Sequence, residues 1–149
     1  MKAKSTRNIL LFLLAFLGLG AIAGGGALIV SPSGDLLKMP LSLIEKSPFR
    51  SYLIPGIILF SVLGLVPCLV VFGLIKKPKW IFAEQFNFFQ DMHWSWTFSI
   101  YIAFALIIWL QIEMEFLQSI NWVHTFYMFL AVAIIFVALL PQIRNQYYK

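Results

Sequence analysis

The chain has 149 residues, 61% of them hydrophobic and 11% charged, with a formal net charge of +5. Soluble domains run at about half apolar and a quarter charged, so this composition excludes an ordinary water-soluble domain and makes the bilayer the solvent. The positive balance requires no nucleic-acid partner, because chain topology and an anionic lipid surface account for it.

Four apolar runs, at about 9–30, 52–75, 96–117 and 122–140, contain few charges. At a rise of about 1.5 Å per residue each is long enough to cross a hydrocarbon core of about 30 Å. The expected fold is all-α and polytopic: one domain, 1–149, a four-transmembrane-helix bundle with short interfacial segments.

The first run follows "MKAKSTR" and contains Ala21, Ile22 and Ala23, a pattern shared with cleaved secretory signals. "GGGALIV" carries the apolar stretch well past that point, which favours a retained helix. Gly20 and Gly24 form a GxxxG spacing, a place for close helix packing. The partner backbone belongs either to this molecule or to a second copy, as in a homo-oligomer.

The first connection, "SPSGDLLKMPLSLIEKSPFRSYLIPG", is dense in turn chemistry, with Pro32, Gly34, Pro40, Pro48 and Pro55. Ser33 or Asp35 is expected to cap a short helix. Leu36, Leu37, Met39, Ile44 and Phe49 are too apolar for a free loop, so this segment is expected to lie in the headgroup layer or fold over the bundle mouth. In the second run Pro67 removes a backbone donor and presses on the Leu63 carbonyl, predicting a kink. Cys68 stands alone there, without a second thiol for a redox pair, and reads as a small packing residue.

The second connection, "KKPKWIFAEQFNFFQDMHWSW", places Phe82, Phe86 and Phe89 on one stripe and predicts a short interfacial helix. Trp80, Trp94, Trp96, Tyr147 and Tyr148 are expected to form an inner aromatic belt, and Tyr52 and Trp122 mark an outer one. Lys2, Lys4, Arg7, Lys76, Lys77, Lys79, Arg144 and Lys149 fall on one side, whereas Lys38, Lys46 and Arg50 fall on the other. The positive-inside rule then puts both termini in the cytoplasm, with the chain in the cell's inner (plasma) membrane.

Between the third and fourth runs the chain turns polar, with Gln111, Glu113, Glu115, Gln118 and His124. Gln111, Glu115 and Gln118 share one helical stripe, and Glu113 points about 160° away beside Trp109 and Leu106. The carboxylates therefore do not form a paired acid/base site, and a Glu115 to His124 contact across the turn is expected. Glu113 lies about 25 Å along the helix from Trp96, near the outer edge, where a carboxylate reaches water at modest cost. A hydrated helix end competes with a binding site, and Glu113, a turn deeper than its neighbours, is the stronger functional candidate.

Other chemistry fails on number or distance. His93 and His124 lie roughly 40 Å apart, too far to share a haem, and Asp91 with His93 is too small a set for a metal. No phosphate loop, nucleophile elbow or HExxH occurs, and no cofactor is implied. "GGGALIVSPSGDLLKMP", "SPFRSYLIPG" and "LLPQIRNQYY" together make the chain similar to small bacterial four-helix integral membrane proteins with no assigned activity. That likeness spans nearly the whole chain and carries over no functional residues. Four-helix multidrug exporters are of similar size but rely on an acid deep in the first helix, where this chain has Asn8 near the entrance.

Three functions follow in order. The first is a non-catalytic helix-bundle module or accessory subunit of a larger membrane complex. The second is a small proton-linked transporter or channel using the outer Glu/His cluster, and the third is a lipid-acting enzyme.

Overall fold

The computed structural model describes residues 3–45, 47–117 and 122–149. It is an all-α bundle with four helices long and apolar enough to cross a membrane: α1 (Ala3–Val30), α2 (Leu53–Lys76), α4 (Trp94–Leu117) and α5 (Trp122–Leu139). Two shorter helices, α3 (Ile81–Gln85) and α6 (Pro141–Tyr147), lie between and after them. Each long helix packs on the next and α5 closes the ring onto α1. The core is a column of fully buried aliphatic side chains, among them Leu14, Leu63, Val70, Ala103, Ala131 and Ile134. Phe12, Leu19, Ile108, Phe129 and Phe136 point outward and are exposed, an apolar exterior that matches lipid rather than water.

α1 starts six residues before its apolar run, because Ala3 to Asn8 continue the helix beyond the greasy segment, with Thr6 fully buried. At the other end Pro141 drives Leu140 into an extended conformation (φ −62°, ψ 140°), since its ring disfavours a helical residue before it. The chain turns there and α6 packs back on α1 and α5. Gln146 Nε2 donates to the Ala3 carbonyl at 3.0 Å, Lys77 Nζ to the Gln146 carbonyl at 2.7 Å, and the His93 N–H to the Tyr147 carbonyl at 2.7 Å. Both termini and the α2–α4 connection therefore share one end of the bundle.

The α1–α2 seam is tight. A methyl at Gly25 would lie 2.6 Å from the Phe60 nitrogen, one at Gly56 2.8 Å from Leu28 Cβ, and one at Gly64 2.9 Å from Ile22 Cγ1. Gly18 and Gly25 of α1, seven residues apart, thus face Gly64 and Gly56 of α2. Without a hydrophobic drive between helices in lipid, such backbone approach supplies the dispersion contacts that join them. Gly20 and Gly24 are offset from this seam: Gly20 meets the Tyr127 hydroxyl of α5, and Gly24 has ordinary space beside Leu59. Around Pro67, α2 widens into a π-turn over Ser61–Leu65, which relieves the ring's pressure on the preceding carbonyls. The Ser61 hydroxyl donates to the Ile57 carbonyl at 2.7 Å.

The first connection folds over one end of the bundle as two 3₁₀ turns, Asp35–Leu37 and Leu41–Ile44. Neither Ser33 nor Asp35 caps: Gly34 occupies the cap position at φ 83°, where a Cβ would strike the Met39 carbonyl oxygen, and the Leu36 N–H reaches the Ser31 hydroxyl at 3.4 Å. Tyr52 is buried beneath, its hydroxyl donating to the Pro40 carbonyl at 2.8 Å.

The aromatic belts need correction as well. Trp94, Trp96 and Tyr147 are buried in protein, their polar atoms donating to the Pro78, Ala138 and Leu74 carbonyls, whereas Trp80, Trp122 and Tyr148 stay exposed. An indole or phenol with a polar tip serves a buried carbonyl as well as it serves an interface. The expected helix in the second connection, α3, is only five residues long, and the chain after it doubles back along α4 to Tyr101. The Tyr101 hydroxyl donates to the Phe86 carbonyl at 2.8 Å and accepts the Phe88 N–H at 3.1 Å. Tyr101 lies about 10 Å along α4 from Trp94, within a helix long and apolar enough to cross a membrane; inside a bilayer, backbone groups require partners. Tyr101→Phe is expected to raise amide exchange at 86–89 with a local cost of about 1 kcal/mol. Hydrogen exchange in detergent checks this, and unchanged protection at Phe88 would refute it.

Candidate functional site

α4 carries the polar cluster on two different faces. Gln111 and Glu115 are exposed, while Glu113 turns into the bundle with Leu106 and Leu110, both buried. His124, in the first turn of α5, is buried, and its Nε2 lies 3.2 Å from Glu113 Oε2. The expected Glu115 to His124 contact is therefore replaced by a Glu113 to His124 pair. Depth alone favoured Glu115; the facing of α4 toward α5 decides for Glu113. Gln118 falls outside the described residues.

Trp109, one turn earlier on α4, flanks Glu113 and lines the same space. The His124 side chain is 8% exposed and that of Glu113 30%, so the histidine is embedded and the carboxylate borders open space. That space consists of two cavities. The larger, about 210 Å³, lies inside the ring and is lined by Gly20, Gly24, Leu63 and Tyr127 among others, and the smaller, about 70 Å³, lies under the first connection beside Phe49 and Tyr52. Trp109 and Glu113 line both, so these two side chains form the wall between them. The missing side chains of Gly20 and Gly24 help make the larger space, which gives this GxxxG pair a different role from the close seam at Gly18 and Gly25.

A second polar cluster, at the opposite end, was not foreseen. Asn87 is buried, and its amide is fully used: Nδ2 donates to Glu84 Oε2 (3.1 Å) and the Met92 carbonyl (2.7 Å), and Oδ1 accepts from the Phe89 N–H (3.0 Å) and the Thr97 hydroxyl (2.6 Å). Glu84 also takes Lys149 Nζ at 2.5 Å and the Trp94 N–H at 3.3 Å. His93 Nε2 lies 3.0 Å from the Pro78 carbonyl, and Nδ1 2.7 Å from the Ser95 hydroxyl and 3.2 Å from the Ser95 N–H. Because a carbonyl only accepts, Nε2 carries the proton and Nδ1 accepts from Ser95, the neutral tautomer. Every member of this network has partners, so it acts as a plug. Its one sequence signal was the run of polar residues in an otherwise aromatic connection.

The plug is expected to loosen in acid. Burial pushes His93 below the ordinary histidine value, only partly offset by the Pro78 carbonyl. For Glu84 burial raises the value, but the hydrogen bonds from Lys149, Asn87 and the Trp94 N–H outweigh it and the net shift is downward. For both groups the unfolded chain binds more protons, so stability is complete above the unfolded values, about 6.5 for His and 4.3 for Glu, and is lost as pH falls through the lower folded ones. Hydrogen exchange around Trp94, corrected for intrinsic rate, is expected to accelerate from pH 7.5 to pH 5 in the wild type and much less in His93→Gln. Equal pH profiles for the two proteins would refute the assignment.

Among the described residues, no group of three or more His, Cys, Asp or Glu is placed to hold a metal. No family model, curated protein or solved structure matches this chain, so the similarity to small four-helix membrane proteins gains no support from that side.

Proposed function

We propose that the chain is a non-catalytic helix-bundle module of the inner membrane, working alone, as a homo-oligomer or as an accessory subunit, and that its site is the proton-linked Glu113 and His124 pair. One observation carries the reading: an acid turned into the bundle, paired with His124 and flanked by Trp109, lines both of two cavities. Even near the edge of the apolar span, an acid turned inward from the helix's exposed face is a functional candidate by default. His124 supports a binding function over lipid catalysis, because its Nε2 is engaged by Glu113 and the side chain is embedded, whereas a general base needs a substrate within reach. Among the described residues, seven basic ones (Lys4, Arg7, Lys76, Lys77, Lys79, Arg144 and Lys149) belong to segments at the plugged end, which supports cytoplasmic termini and an outward-facing site.

The fluorescence of Trp109, taken as the difference between wild type and Trp109→Phe, is expected to follow pH through one transition that Glu113→Gln abolishes. A pH-independent indole in the wild type would end the proton-linked reading. Orientation is tested separately by a cysteine at position 115 in a Cys68→Ala background, which a membrane-impermeant maleimide should label from outside intact cells. Labelling from the cytosolic side alone would invert the topology.

A transporter is the second reading, favoured by one contact: Leu63, in the π-turn of α2, also lines the larger cavity. A hinge there would reshape the site. Proton-coupled flux in proteoliposomes, lost in Glu113→Gln, distinguishes it from a static module.

A further inference from the structure

We infer that the larger cavity is a side-entry site for a lipophilic monocation, a quaternary or protonated amine carried on a compact apolar body. This rests on the Glu113 and His124 reading and adds the chemical class of the ligand.

The shape comes first. Gly20 of α1 and Val123 of α5 both line the cavity and both are exposed, so the space opens sideways between those helices, toward the apolar exterior. A ligand dissolved in lipid reaches it without crossing the plugged end.

The charge pattern selects the head group. Among the described residues, Glu113 is the one acid lining either cavity, and no Lys or Arg lines either of them. The titratable side chains that face it are His124 and Tyr127 from α5 and Tyr52 beneath the first connection, whose hydroxyl is taken up by Pro40. α1 and α2 contribute only glycine, alanine and leucine to the larger cavity. With His124 neutral the site carries one uncompensated negative charge in a poorly hydrated space, bordered by the rings of Trp109 and Tyr127. A carboxylate beside aromatic faces is what a weakly hydrated cation binds, through charge and ring quadrupole together. With His124 protonated the pair is neutral and that attraction is gone. Proton and cation are thus competitors for Glu113, and by linkage each lowers the affinity of the other.

The test uses phenyltrimethylammonium and its uncharged isostere tert-butylbenzene, with the full chain in nanodiscs of phosphatidylcholine. Calorimetry is expected to show saturable ammonium binding at pH 8 that is at least tenfold tighter than that of the isostere. Binding should weaken at least tenfold at pH 5.5 and disappear in Glu113→Gln. Equal binding of the two isosteres by the wild type, or undiminished ammonium binding by Glu113→Gln, would overturn the inference. If Glu113→Gln does not fold, the isostere comparison on the wild type decides alone. A pH transition of Trp109 fluorescence with no ammonium binding would overturn the ligand class and leave the proton-linked reading standing, whereas loss of both would sink both.

Discussion

Gly25→Ala is expected to destabilise the bundle by about 2 kcal/mol net, because overpacking costs about 1–3 kcal/mol and here the obstacle is main chain. The added methyl would lie 2.6 Å from the Phe60 nitrogen, 2.8 Å from the Gly56 carbonyl oxygen and 2.9 Å from Phe60 Cα. None of these atoms has a rotamer to change. Relief requires α1 and α2 to separate, which also loosens Gly56 against Leu28 and Gly64 against Ile22 along the same seam. Alanine's helix propensity gain of about 1 kcal/mol works in the opposite direction and is already deducted. Gly24→Ala, one residue away, is the control: its methyl would meet Leu59 Cδ2 at 3.8 Å, ordinary contact, so that variant should be neutral or slightly stabilising. Thermal unfolding in detergent, followed by size-exclusion profile, measures both. Equal midpoints for the two variants would show that the seam is not where the close approach at Gly25 puts it.

With His124 protonated, His124→Ala is expected to cost about 3 kcal/mol, the lower end of the range for removing one partner of an embedded ion pair. The loss arises less from the vanished attraction than from the Glu113 carboxylate left behind without its partner. Its partial exposure to the cavities keeps the cost from being larger. The double variant Glu113→Gln/His124→Ala should recover a good part of that loss, since the stranded charge has been removed with its partner. The coupling energy of that cycle is the measurement, because it cancels whatever else His124 touches. A cycle that closes with no coupling would mean that the 3.2 Å pair contributes nothing to the fold. It would also remove the physical basis for linking a proton at His124 to binding at Glu113.

The two variants concern features that differ in how far they were legible beforehand. That glycines in α1 serve packing follows from their number, but the GxxxG spacing pointed to Gly20 and Gly24, while the seam uses Gly18 and Gly25. Every face of α1 is apolar, so no amphipathic stripe tells which one meets protein. The azimuth of α2, with its own Gly56 and Gly64, makes that choice. Likewise Glu113 and Glu115 sit in the same polar turn, and helical spacing separates their faces correctly. Which face meets α5 depends on the turn between α4 and α5 and on how Leu106 and Leu110 bury, neither of which a periodicity encodes.

Aromatic residues near helix ends are ambiguous for a related reason. A Trp or Tyr near the end of an apolar run satisfies an interface and a buried carbonyl with the same polar tip, so composition cannot separate Trp80, which is exposed, from Trp94, which is 1% exposed. The plug depends on contacts such as Glu84 to Lys149, between residues that local pattern has no means of pairing.

By itself, then, the sequence determined the four apolar helices, their lengths and the grouping of the basic residues, because a bilayer imposes a length and a polarity on each segment independently of its neighbours. Tertiary structure alone decided which glycines touch, which carboxylate turns inward and which aromatics are buried, since in lipid all faces of a helix are nearly equal until another helix arrives to break the tie.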